Sequence, residues 1–208
     1  MRKEKYRKSD FGVFLQEHRI LCAVTLEQLS EGLCSVSELG RIERGKCQAD
    51  KALQDRLLYR LGLGPDVYEN FLFEEDYLQW KKRQQLVYAI SRRELEAAER
   101  ILAEYREKYV TGQGDDVNGR LERQFCFSME AQLLRSRGAE RESEQEKLQE
   151  QLRILFRKAL ELTVCFAAPG SMKGKVCSIQ ELDLLLEWIY YERPVDWECL
   201  YREILYMI

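Results

Sequence analysis

A chain of 208 residues, 45% apolar and 33% charged with only three prolines, has the composition of a globular, helix-rich protein, long enough for one large domain or a small one joined to a larger one. Seven scattered cysteines with no CxxC pair, and a single histidine, argue against a zinc or disulfide framework and for buried thiols in a reducing cytosol. Residues 1–60 carry 12 Lys and Arg against 9 Asp and Glu, so a net charge of −3 conceals a basic front and an acidic remainder, which suits phosphate binding although an ordinary fluctuation of surface charge gives the same numbers.

Asp10, Glu17 and Arg19 interrupt what would be the apolar core of a signal peptide, and no later stretch is long enough to cross a membrane. A cytoplasmic location is the expectation.

In chain order, Phe11, Phe14, Leu15, His18, Leu21 and Cys22 recur at helical spacing and predict a first helix with one buried face, ending before Val24. Thr25-Leu-Glu-Gln28 fits a capping box, in which the Thr hydroxyl accepts from the third helical amide while Gln28 reaches back to the cap. A second helix starts there with Leu26, Leu29 and Leu33 inward, and Gly32 ends it by tolerating a left-handed turn. Ser35-Val-Ser-Glu38 repeats the box, so a third helix runs from Ser35 to about Arg44 and stops at Gly45. Two capped helices joined by a short glycine-bearing turn are the helix-turn-helix arrangement.

With Leu39 and Ile42 in the core, the third helix turns Val36, Ser37, Glu38, Gly40, Arg41 and Arg44 outward or partly so. Val36, Ser37, Glu38 and Arg41 are the candidates for base contacts. Arg41 has the fork to grip a guanine edge, Ser37 shares its face four residues away, and Val36 suits a thymine methyl. Arg19, Thr25, Gln28, Ser35, Arg44 and Lys46, with the basic arm at residues 2–8, suit phosphate contacts. Plain readings stand beside these: Arg41 solvated or paired with Glu38, and the arm a frayed tail.

Three runs taken together, Leu26-Glu-Gln-Leu29-Ser, Ser37-Glu-Leu-Gly-Arg41-Ile-Glu43-Arg-Gly45 and the leucine-rich stretch 57–63, resemble the Xre or Cro type of helix-turn-helix over about the first third of the chain. The resemblance implies a five-helix DNA-binding domain at residues 1–73, whose fourth and fifth helices come from 49–60 and 65–73, with Pro65 opening the fifth. Gly40 replaces the small polar residue usual before the arginine and weakens the helix by about 1 kcal/mol. The turn before Ser35 is one residue shorter than in phage repressors and is similar to the PlcR-like and Rgg-like peptide-responsive regulators. That likeness implies a short signalling peptide held in the concave face of helical repeats, with an asparagine clamping its backbone. Asn118 is the candidate, and the plainer reading makes it a helix cap after Asp115 and Asp116.

Residues 74–208 keep a helical period in longer segments that come in pairs: 76–91 with 93–109, 117–137 with 143–166, and 178–191 with 195–206. Three hairpins in a row predict an α-solenoid. Leu95-Glu-Ala-Ala98-Glu-Arg-Ile-Leu102 and Leu155-Phe-Arg-Lys-Ala159-Leu-Glu-Leu162 are similar to tetratricopeptide-repeat helices, with small residues where neighbours approach; a non-repetitive bundle is the other reading. Leu102 and Phe156 lie 54 apart, so the units are longer than the ~34-residue repeat. Glu94, Glu96, Glu99, Arg100, Glu104 and Arg106 read as solvated faces. The apolar end at 188–208 calls for a cover, which is a second protomer, a remainder of a longer protein, or the chain's own domain.

The expected class is therefore all-α, a helix-turn-helix domain followed by a solenoid of TPR-like hairpins. The expected function is a sequence-specific transcription regulator that binds double-stranded DNA as a homodimer, because two recognition helices one duplex turn apart multiply specificity. The alternative is a helical adaptor that binds protein without productive DNA binding. No enzyme, cofactor or metal is expected: His18 sits on an apolar face, the carboxylates are scattered, and Gly112-Gln-Gly114 lacks the context of a phosphate loop.

Overall fold

The computed structural model describes residues 10–64, 74–112, 114–139, 141–164, 174–192, 198 and 201–202. All regular structure among them is helical, with no strand. The arm at 2–8, the helix expected at 65–73 and all but three residues of the helix expected at 195–206 lie outside the described residues; Glu198, Tyr201 and Arg202 are helical.

The head contains α1 (Asp10–Leu21), α2 (Leu26–Ser30), α3 (Val36–Glu43) and α4 (Lys51–Arg60). Thr25 caps α2 with both halves of the box in place: its hydroxyl accepts from Gln28 N–H at 3.2 Å, and its own N–H donates to Gln28 Oε1 at 2.8 Å. At α3 only the hydroxyl half is made, with Glu38 N–H donating to Ser35 Oγ at 3.1 Å. Asp50 caps α4 by accepting from Leu53 N–H at 2.9 Å. Leu15, Leu29, Leu33, Leu39, Ile42, Leu53, Leu57 and Leu58 close the head's core. A Cβ on Gly12 would stand 2.3 Å from Ile42 O, so glycine is what lets α1 lie against the end of α3.

The body contains α5 (Glu74–Ser91), α6 (Leu95–Tyr109), α7 (Val117–Arg137), α8 (Glu142–Glu161) and α9 (Ile179–Glu192), each packed on the next. Two of the bounds that differ from expectation have a physical reason in the structure. The sixth helix opens at Leu95 and not at 93, because Arg93 sits at φ +60, which no right-handed helix continues. The eighth ends at Glu161, short of 166, and Thr163 lends its hydroxyl and carbonyl to side chains instead of to a further turn.

Helix α7 organises the molecule. Its Leu121 enters the head's core, its Cys126, Met129 and Leu133 pack with α5 and α6, and its Ala131 packs with α8 and α9. The small residues expected at close approaches, Ala98 and Ala159, are fully buried. Beneath α5 and α6 the buried carboxylate of Glu122 takes the Tyr105 hydroxyl and Arg83 as partners, and burial, with Glu122 alongside, pushes the Tyr105 phenol above its ordinary range. The acids of α6 are not merely solvated. Glu99 pairs with Arg137 and Glu104 with Lys82, while Arg106 pairs with Glu130, each bridging neighbouring helices.

The thiols divide. Cys126 is buried and Cys34, Cys47 and Cys177 are half-buried, whereas Cys22 is exposed, against the expectation that all were core residues. Burial pushes Cys34 and Cys126 up to about 11 and Cys177 to about 12.

Candidate nucleic-acid interface

Leu39, Ile42 and Glu43 anchor one side of α3 in the head, which leaves Val36, Ser37 and Arg41 exposed on the other, with Arg44 and Lys46 exposed just beyond its end. Val36 is 39% exposed, open for a valine that elsewhere would be core. Glu38 is half-buried at the first turn. The Arg41, Arg44 and Lys46 side chains have no hydrogen bond or ion pair among the described residues.

Other candidates are engaged elsewhere. Arg19 is no open phosphate contact: its Nε and Nη2 donate to Glu43 at 2.6 and 2.9 Å, and its Nη1 donates to Val24 O at 3.0 Å. The cause is the buried carboxylate of Glu43, only 4% exposed, which needs a cation within reach. Gln28 uses its carbonyl for the cap and donates its amide to Gly174 O of the body at 2.8 Å. Next to it, Lys175 pairs with Glu31. Thr25 and Ser35 are exposed and spend their hydroxyl lone pairs on caps. Gly40, expected on the outward side, is buried beneath Arg44, whose Nη1 would lie 3.2 Å from an added Cβ.

Beside the head lies a groove of about 920 Å³, walled by α4, α5, α7 and α9. Trp80, Phe125 and Tyr190 supply aromatic surface, and Gln124, Gln180 and Asp183 supply polar groups. Asn118 is not part of its wall. Nor does Asn118 cap α7, because Asp116 takes that position and accepts from Gly119 N–H at 2.8 Å.

Sequence reasoning missed the acid that joins head to body. Glu181, fully buried, closes a capping box with Ser178 at the start of α9 and also receives Arg60 and Arg56 from α4. Burial would push its carboxyl up, but the two guanidinium groups and the Ser178 amide outweigh that and hold it at about 2. The Ser178-Ile-Gln-Glu181 pattern was the signal that could have found its capping half.

Among the described residues, no helix is long and apolar enough to cross a membrane, and no three His, Cys, Asp or Glu gather as a metal site. No family model, curated protein or solved structure matches the chain.

Proposed function

We propose that this chain is a cytoplasmic, sequence-specific DNA-binding transcription regulator of the Xre or Cro type. A helix-turn-helix head reads double-stranded DNA, and a body of TPR-like hairpins pairs it into a homodimer and takes an effector such as a short signalling peptide. One observation carries the reading, namely how the head's cations are used. Arg19, Lys51, Arg56 and Arg60 are each held by an acid, whereas Arg41, Arg44 and Lys46 share the exposed end of α3 with no partner among the described residues. Unneutralised cations beside a polar helix face are what a phosphate backbone and a major groove require.

Arg41 reads a base edge through its two-pronged donor set, Ser37 and Val36 flank it, and Arg44 and Lys46 set register on phosphates. In a dimer the two α3 helices address half-sites about 34 Å apart. The groove between head and body gives an effector a place from which to act on both.

Duplex selection from a random oligonucleotide pool, followed by salt titration, tests the reading. Arg41→Ala is expected to relax sequence preference at a cost of about 1–3 kcal/mol, and Lys46→Ala to weaken all sequences alike and reduce the salt slope by about one. Recovery of no duplex at low salt, or affinity indifferent to salt, would move the chain to the adaptor reading, in which α2, already gripped by the body through Gln28, is a packing unit.

A further inference from the structure

We infer that the α4 end of the groove is a binding site for a carboxylate carried on an apolar chain, received by the open edge of Arg56. The inference deepens the effector half of the proposed function and rests on it, while the binding step itself involves no DNA.

Most cations around the groove are matched one to one. Lys51 is held by Asp55, Arg83 by Glu122 and Arg135 by Glu187. Arg56 has no acid to itself. Glu181 gives both its oxygens to Arg60, at 2.8 and 3.1 Å, and stands 3.7 Å from Arg56 Nη1, beyond hydrogen-bonding distance. That Nη1 makes one long bond, donated to Ser178 Oγ at 3.4 Å. The Nε and Nη2 of Arg56 make no hydrogen bond among the described residues and, unlike the buried Nε of Arg120, keep an accessible face in the groove. Burial pulls the Arg56 guanidinium below its ordinary range, Glu181 draws it back, and Arg60 and Arg83 push it down again, so a further anion is what the position lacks. Asp183 in the same walls also has no ion pair among the described residues, but it is exposed and water satisfies it, whereas the Arg56 side chain is only 13% exposed.

Nε and Nη2 form the side of a guanidinium that matches the two oxygens of a carboxylate. One half-buried cation without its own acid calls for a single negative charge, and an ammonium would be repelled there. Leu121, Phe125, Ser128, Gln132 and Arg135 follow one side of α7, so the groove runs for roughly 20 Å, with α4 closing it at the Leu121 end. Beyond Arg56 the ligand's chain would lie on Phe125, Trp80 and Tyr190. Gln84, Ser128 and Gln132 make no side-chain hydrogen bond among the described residues and can serve amide groups along that chain. The carboxylate can come from a fatty acid or from the carboxy terminus of a short apolar peptide.

Calorimetric titration of the full chain separates these sources. The probes are octanoate and octanol, an uncharged apolar hexapeptide acetylated at its amino end with either a free or an amidated carboxy terminus, and octylamine as a cationic control. Binding of either acid, with loss in its neutral counterpart, supports the site, and the tighter of the two acids names the source. Arg56→Gln is expected to weaken the bound acid about tenfold or more without lowering the unfolding midpoint, because it removes a cation that lacks its own acid. The comparison of each acid with its neutral counterpart needs no variant and stands even if Arg56→Gln fails to fold. No heat from either acid at millimolar concentration, equal affinity for the neutral counterparts, octylamine binding as well as octanoate, or undiminished affinity in folded Arg56→Gln overturns the proposal. Since no duplex is present, the result stands whether or not the head binds DNA.

Discussion

Arg60 grips Glu181 with two hydrogen bonds, 2.8 Å from Nη2 and 3.1 Å from Nε, across the joint between head and body. Its other N–H groups reach Leu29 O at 3.0 Å and Glu31 O at 2.6 Å in the head, and Thr163 O at 3.4 Å in the body. All five guanidinium donors are therefore used, and one side chain ties the end of α2 to the end of α8 and the start of α9. Arg120 adds a bond from α7 to Leu33 O at 2.9 Å, so the turn between α2 and α3 is held from two sides.

The joint makes stability depend on pH in a stated direction. Glu181 is held at about 2, below its ordinary 4.5, so the stability it contributes is complete above about pH 4.5 and is lost as pH falls toward 2. The shift corresponds to roughly 3 kcal/mol. Urea unfolding at stepped pH is expected to show the wild type losing stability across that window more steeply than Glu181→Gln. Parallel curves for the two proteins would show that this carboxylate is not the linked group.

Gly32 sits at φ +71 where a Cβ would come within 1.9 Å of Thr163 O, a backbone atom with nowhere to go. Gly32→Ala is expected to cost about 2 kcal/mol or more, through left-handed strain and the push against α8 together. Limited proteolysis should then cut between head and body sooner than in the wild type. An unchanged denaturation midpoint would mean that the head does not rest on α8.

Gly40 presents the opposite case. The nearest neighbour of an added Cβ is the end of the exposed Arg44 side chain, which can swing aside. Gly40→Ala is expected to stabilise the chain by up to about 1 kcal/mol, the helix-propensity gain. A loss of stability in thermal unfolding would show that Arg44 is pinned in place, contrary to its proposed role as a phosphate contact.

Local features were the legible ones. The cap at Thr25, the hydroxyl half of the cap at Ser35, the left-handed turn at Gly32 and the exposed side of α3 all depend on residues within four positions of one another. Helix limits followed from the same short-range chemistry; the start of α6 was missed at the left-handed backbone of Arg93, and the end of α8 where distant partners intervened at Thr163, whose polar atoms serve Gln124 and Arg60. Arg19 was misread for that reason too. Nothing near it in sequence announces Glu43, 24 residues on.

The amino-acid order alone determined that the chain is helical and where a capped pair of helices turns a polar face outward, since propensity, caps and glycines act within a turn or two. Which arginines stay free for a ligand, and which are consumed inside, was decided by packing. Glu43 and Glu181 enter the interior only when helices far apart in the chain meet, and a buried carboxylate then claims whichever cation stands opposite it.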